Sequence, residues 1–199
     1  MPNRPPVSMT LIAVSILVYA LMELWNREQT LLPLLISQYY SPALPEIQHG
    51  EIWRLVTPIF IHFGVFHLVF NMLWTWELGR IIEIRQGAIS LILLTLIIAV
   101  ISNLAQYFAS GPVFGGMSGI IYGYFGYVWI QGKYNPRFGI KLNPSIIKLM
   151  LGWFLLCWSG LLEKLFDLSI ANTAHTSGLI SGVAIAFILV LFSRRQARR

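Results

Sequence analysis

Residues 86–132 read QGAISLILLTLIIAVISNLAQYFASGPVFGGMSGIIYGYFGYVWIQG, 47 consecutive positions without an Asp, Glu, Lys or Arg. About 20 apolar residues cross the hydrocarbon layer of a bilayer, so this stretch holds two membrane spans joined by a short turn at Ser110-Gly111-Pro112. The whole chain agrees: 56% of its residues are hydrophobic and 11% charged, against roughly a quarter charged in an ordinary soluble domain, which excludes a water-soluble globule. Working outward, further uncharged windows cover residues 5–22, 57–76, 149–162 and 168–193. The third of these extends backward past Lys148, whose amine can snorkel to the interface. The expected architecture is an all-α integral membrane bundle of six transmembrane helices. It forms one domain over residues 1–199, with no separate cytoplasmic domain before the first span. The lone Cys157 lies within a span, so no intrachain disulfide forms.

The net charge of +6 is distributed by loop. The loop after span one sets Arg27 and Arg54 against Glu28, Glu46 and Glu51, net −1, and the next, with Arg80, Glu83 and Arg85, is +1. Lys133, Arg137, Lys141 and Lys148 make the following charged loop +4; Glu163, Lys164 and Asp167 make the next −1; the four arginines of the tail make it +4. Cytoplasmic loops carry the excess of Lys and Arg, which puts both termini inside the cell. Basicity therefore reports topology and contact with membrane lipids, and no nucleic-acid partner is expected. A cleaved signal peptide, with Arg4 as its basic region and Val18-Tyr19-Ala20 as its cleavage site, is the competing reading of the N-terminus. It fits less well because the apolar run continues to Leu24 and Trp25.

A polar side chain within a span is costly unless it faces a partner or water. Span two carries His62, His67 and Asn71, and the last two lie four apart on one helical face. An interhelical hydrogen bond explains either one alone. Together, with His62 nearer the outer end, they suit a wet cavity opening outward. Span four opens with Gly115-Gly116-Met117-Ser118-Gly119. The apolar helix after Ser118 covers only about 20 Å of a layer about 30 Å thick, so its N-terminus is expected to start inside the membrane. There the free N–H groups of a helix start can receive developing negative charge. The Gly-rich run on its own reads equally well as a packing motif.

Span six supplies a base for the serine. His175 sits near its outer end, with Gly178 and Gly182 on the same face; span four has Gly119 and Gly123 on a comparable stripe. Small residues four apart let two membrane helices approach backbone to backbone, which would bring His175 within reach of Ser118. A serine hydroxyl becomes a useful nucleophile when a neighbouring imidazole takes its proton. This pair is the minimum for acyl transfer, and no metal or organic cofactor is implied, since the histidines lack zinc-site spacing. A transporter would also place polar residues and broken helices at this depth, but the chain has no paired repeats and no intramembrane carboxylate that would carry coupling.

Trp53-Arg54, His67-Leu-Val-Phe-Asn71, Leu78-Gly79 with Glu83, Gly116-Met-Ser118-Gly119 and Ala174-His175-Thr-Ser-Gly178 occur in that order, each in its own span or loop. In this the chain resembles the rhomboid family of intramembrane serine proteases, and within it the bacterial GlpG type. The resemblance implies that Ser118 is the nucleophile and His175 the general base. It implies an oxyanion site made by His67, Asn71 and the Ser118 N–H, and a Tyr122 ring that orients His175. Phe70 and Trp153 would face each other at a lateral gap for substrate, and the loop bearing Trp53 and Arg54 would lie partly in the outer leaflet. The implied partners are transmembrane protein substrates, and the implied location is a bacterial inner membrane with the site opening outward. The extra residues near 161–164 depart from the family pattern. A catalytically dead relative would have lost Ser118 or His175, and both are present.

Overall fold

The computed structural model describes residues 5–166 and 169–196, which are mostly helical with no strand among them. Arg4, Asp167, Leu168, Arg198 and Arg199, which entered the readings above, lie outside the described residues. In chain order the helices are α1 (Pro6–Leu24), α2 (Arg27–Leu31), α3 (Pro45–Gln48), α4 (Val65–Trp74), α5 (Arg80–Gln86), α6 (Ala88–Ser110), α7 (Ser118–Tyr134), α8 (Pro144–Trp158), α9 (Leu161–Phe166) and α10 (Asn172–Gln196). Among the described residues three helices are long and apolar enough to cross a membrane: Pro6–Leu24, Ala88–Ser110 and Asn172–Ser193. Phe66, Ile89, Leu155 and Ile180 are exposed on the outside of the bundle, the surface expected of a protein solvated by lipid.

Local chemistry sets the boundaries. Proline opens α1 and α8 at the one position where its missing N–H costs nothing, and the Asn143 side chain accepts the Ser145 N–H at 2.9 Å to start α8. Between α4 and α5 runs a π-helical turn, Thr75–Gly79, so the chain is helical without a break from Val65 to Gln86. Arg80, Glu83 and Arg85, read above as a loop, therefore lie in helix. The reason is tertiary. Glu83 accepts the N–H groups of Val7 and Ser8 at 2.8 Å each and the Ser8 hydroxyl at 2.7 Å, capping α1, while Arg85 Nε donates to the Phe138 carbonyl at 2.6 Å. Likewise residues 57–64, read as the outer part of span two, hold a short 3-10 turn, Thr57–Phe60, and an extended approach to α4.

α7 is the centre of the bundle, buried on almost every side, which is why its sequence is apolar all round rather than amphipathic. Its chief neighbour is α10, with α6 behind. Tyr124, fully buried, closes a hydroxyl–hydroxyl contact with Thr95 of α6. This central helix begins at Ser118.

Candidate active site

The segment before α7 is held in an irregular conformation from two sides. Gly116 donates its N–H to the Pro58 carbonyl at 3.1 Å and has φ +115°, a value side-chain-bearing residues rarely adopt. A Cβ there would also stand 2.7 Å from Cε1 and Nε2 of His67, so the imidazole of α4 lies directly against this glycine. Met117, fully buried, points the other way, and its sulfur receives the hydroxyls of Ser15 and Thr75 at 3.6 Å each. Next comes Ser118. As the first residue of α7 it has an N–H with no carbonyl a turn earlier to receive it.

From α10, His175 Nε2 approaches Ser118 Oγ at 2.8 Å. If the hydroxyl donates, the neutral imidazole carries its own proton on Nδ1, which is buried with no hydrogen-bond partner. The Tyr122 ring, one turn into α7, tilts across the imidazole at a centroid distance of 4.9 Å and touches Phe154 of α8 on its other side at 5.3 Å. His175 and Tyr122 are both buried, while Ser118 is partly open. The pair comes together because α7 and α10 meet at glycine: the Gly178 Cα lies against the Gly119 carbonyl, and the Gly182 Cα against that of Gly123.

The other sequence-derived positions fall around this centre. His67 lies across Gly116 from the serine, and Asn71, buried one turn further along α4, donates its amide to the His67 carbonyl at 2.8 Å. His62 lies outside the helix: its ring is 5.1 Å from that of His67, and its Nδ1 pairs with the Phe60 carbonyl at 3.1 Å. Phe70 and Trp153, both partly exposed, face each other across α4 and α8 with ring centroids 5.3 Å apart. Trp53 and Arg54 tie down the loop between α3 and α4. The indole donates to the Pro33 carbonyl at 3.3 Å, and the guanidinium reaches the Leu32 and Leu35 carbonyls at 2.6 and 2.8 Å and Glu51 at 2.6 Å. Among the described residues no group of three or more His, Cys, Asp or Glu could hold a metal ion.

Sequence reasoning overlooked Gln106 of α6, whose Oε1 accepts the N–H of Ala174 at 2.9 Å while its Nε2 donates to Ser110 Oγ at 2.6 Å. This amide fixes the start of α10 one residue before His175. Asn103, three positions earlier, holds the Leu55 carbonyl at 2.9 Å. Two buried amides three apart in an otherwise apolar span were the available signal.

The Rhomboid domain family matches residues 49–192, a stretch that contains Ser118, His175, His67, Asn71 and Tyr122. The chain belongs to the rhomboid family. It is similar to the rhomboid protease GlpG of Enterobacter sp. (strain 638), 38% identical over 96% of this chain and 66% of that protein. The GlpG proteins of Klebsiella pneumoniae (36% identical, 98% of this chain, 67% of the relative) and Salmonella newport (39%, 96% and 66%) stand equally near. This rhomboid chain thus spans about two thirds of the length of the curated relatives it matches.

Proposed function

We propose that this chain is an intramembrane serine endopeptidase that hydrolyses peptide bonds in or near the transmembrane segments of other membrane proteins. Its six spans are α1, the run from α4 through α5, α6, α7, α8 and α10, with α7 beginning inside the membrane. Both termini are cytoplasmic in a bacterial inner membrane, and the site opens outward. The observation that carries the reading is the 2.8 Å contact between Ser118 Oγ and His175 Nε2, in a buried setting behind a partly open serine.

As Ser118 Oγ attacks the scissile carbonyl carbon, its proton passes to His175 Nε2 and negative charge moves to the carbonyl oxygen. That oxyanion is received by the Ser118 N–H, the His67 imidazole and the Asn71 amide, whose first N–H bonds the His67 carbonyl and leaves the second to donate. Collapse of the tetrahedral species breaks the C–N bond, and the imidazolium gives its proton to the departing amine. A water then adds to the acyl ester, passes its proton to His175, and Oγ leaves reprotonated. Tyr122 keeps the imidazole plane in place throughout. The substrate enters sideways between α4 and α8, past Phe70 and Trp153. No cofactor takes part in these steps.

The test is cleavage of a reporter transmembrane substrate in proteoliposomes by the parent protein and its Ser118→Ala and His175→Ala forms. Both substitutions should abolish product while the proteins remain folded. Retained cleavage by Ser118→Ala would move the nucleophile elsewhere.

A further inference from the structure

We infer that Arg80, at the end of the bundle opposite Ser118, binds the phosphodiester of an anionic phospholipid, with the Trp76 ring orienting its guanidinium. Arg80 opens α5, roughly 9 Å of helix before Gln86; in the six-span arrangement proposed above, this is the depth where hydrocarbon gives way to headgroups. Its Cζ stands 5.4 Å from the Trp76 ring centroid, and its Nε is buried without a hydrogen-bond partner. Arg80 forms no ion pair among the described residues. Glu83, one turn on, is already occupied by Val7 and Ser8 of α1. A guanidinium held in place at the edge of a low-dielectric layer, with no protein anion, is costly unless an external anion pairs with it.

The surroundings name that anion. Leu73, Trp76 and Ile84 are exposed on the flank of the same helical run, a surface for acyl chains, while Lys133 in the last turn of α7, Arg137 and Lys141 in the connection to α8, and Lys148 within α8 are exposed on the side where Arg85 meets Phe138. A ligand with a diffuse negative headgroup and two apolar tails fits both features, and a planar guanidinium matches two phosphate oxygens. A free phosphate satisfies the cationic feature only.

Native mass spectrometry of the purified full chain, titrated with dioleoyl phosphatidylglycerol or dioleoyl phosphatidylcholine, reads this directly. Arg80→Gln should weaken the first phosphatidylglycerol roughly fivefold, the loss expected for one interfacial cation, and leave phosphatidylcholine unchanged. Arg80→Lys should retain part of the preference, and Lys164→Gln, removing an exposed charge on α9, should change it little. Far-UV circular dichroism and a thermal melt establish that each variant is folded. Unchanged phosphatidylglycerol affinity in Arg80→Gln overturns the proposal, as does an equal loss for both lipids. Displacement of the lipid by millimolar inorganic phosphate overturns the assignment to a lipid.

Discussion

Gly178 of α10 lies so close to the Gly119 carbonyl of α7 that no methyl group fits between them, and Gly182 repeats the relationship with Gly123 one turn further on. The two helices are thereby locked in register, and the register sets His175, three residues before Gly178, beside Ser118, one before Gly119. Gly178→Ala should lower stability by about 1–3 kcal/mol, the range for overpacking, and depress activity more than the stability loss accounts for, because α10 must shift. Gly152→Ala in α8, where an added Cβ meets nothing within 4 Å, should be neutral or stabilise by about 0.5–1 kcal/mol. Thermal melts in one detergent compare the two; equal melting temperatures would refute the locked register.

The amide of Gln106 reaches across from α6 to the Ala174 N–H. Gln106→Leu keeps the volume and removes the acceptor, leaving a buried N–H unpaired at a cost of about 1–3 kcal/mol. Turnover should fall with it, since the next residue is His175, the base proposed above. An activity and melting temperature matching the parent would show that water replaces the amide without consequence.

Glu83 collects three hydrogen bonds at the start of α1. Glu83→Gln retains one acceptor oxygen and loses the charge, so unfolding should become easier by about 1–2 kcal/mol. Measured hydrogen exchange should rise first in Val7 and Ser8. Protection left intact there would mean that α1 is held by packing alone.

Two hydrogen bonds tie the C-terminal end of α8 to α10: Trp158 Nε1 to Thr176 Oγ1 at 3.1 Å, and Asn172 Nδ2 to the Cys157 carbonyl at 3.1 Å. Thr176→Val removes the first while conserving shape. A loss of about 0.5–1.5 kcal/mol is expected, and a spin-label pair across α8 and α10 should report a wider distance distribution. An unchanged distribution would assign the hold to the Asn172 bond and the apolar contacts of α8.

The all-helical class and the rhomboid family were legible because the uncharged runs and the ordered motifs are local properties of the chain. The glycine stripes carried information about which helices meet, since a four-residue spacing has few uses in a membrane other than close approach. Other features were not legible from one-dimensional reading. The turn of α5 looks like a charged loop until Glu83 is seen capping α1, and His62 looks helical until the 3-10 turn before it is seen. Gln106 escaped notice because a neutral amide in a long apolar run leaves the hydropathy profile almost unchanged, although its partner is the residue beside the base.

The claim on which the account turns is that Ser118 is an activated nucleophile. A fluorophosphonate probe reacts with such a serine and with little else, so the purified protein and its Ser118→Ala form should be labelled side by side and read by intact mass. The account predicts one probe adduct on the parent, mapped to Ser118, and none on the variant. An adduct of equal yield on both, or none on a parent that cleaves substrate, would contradict it.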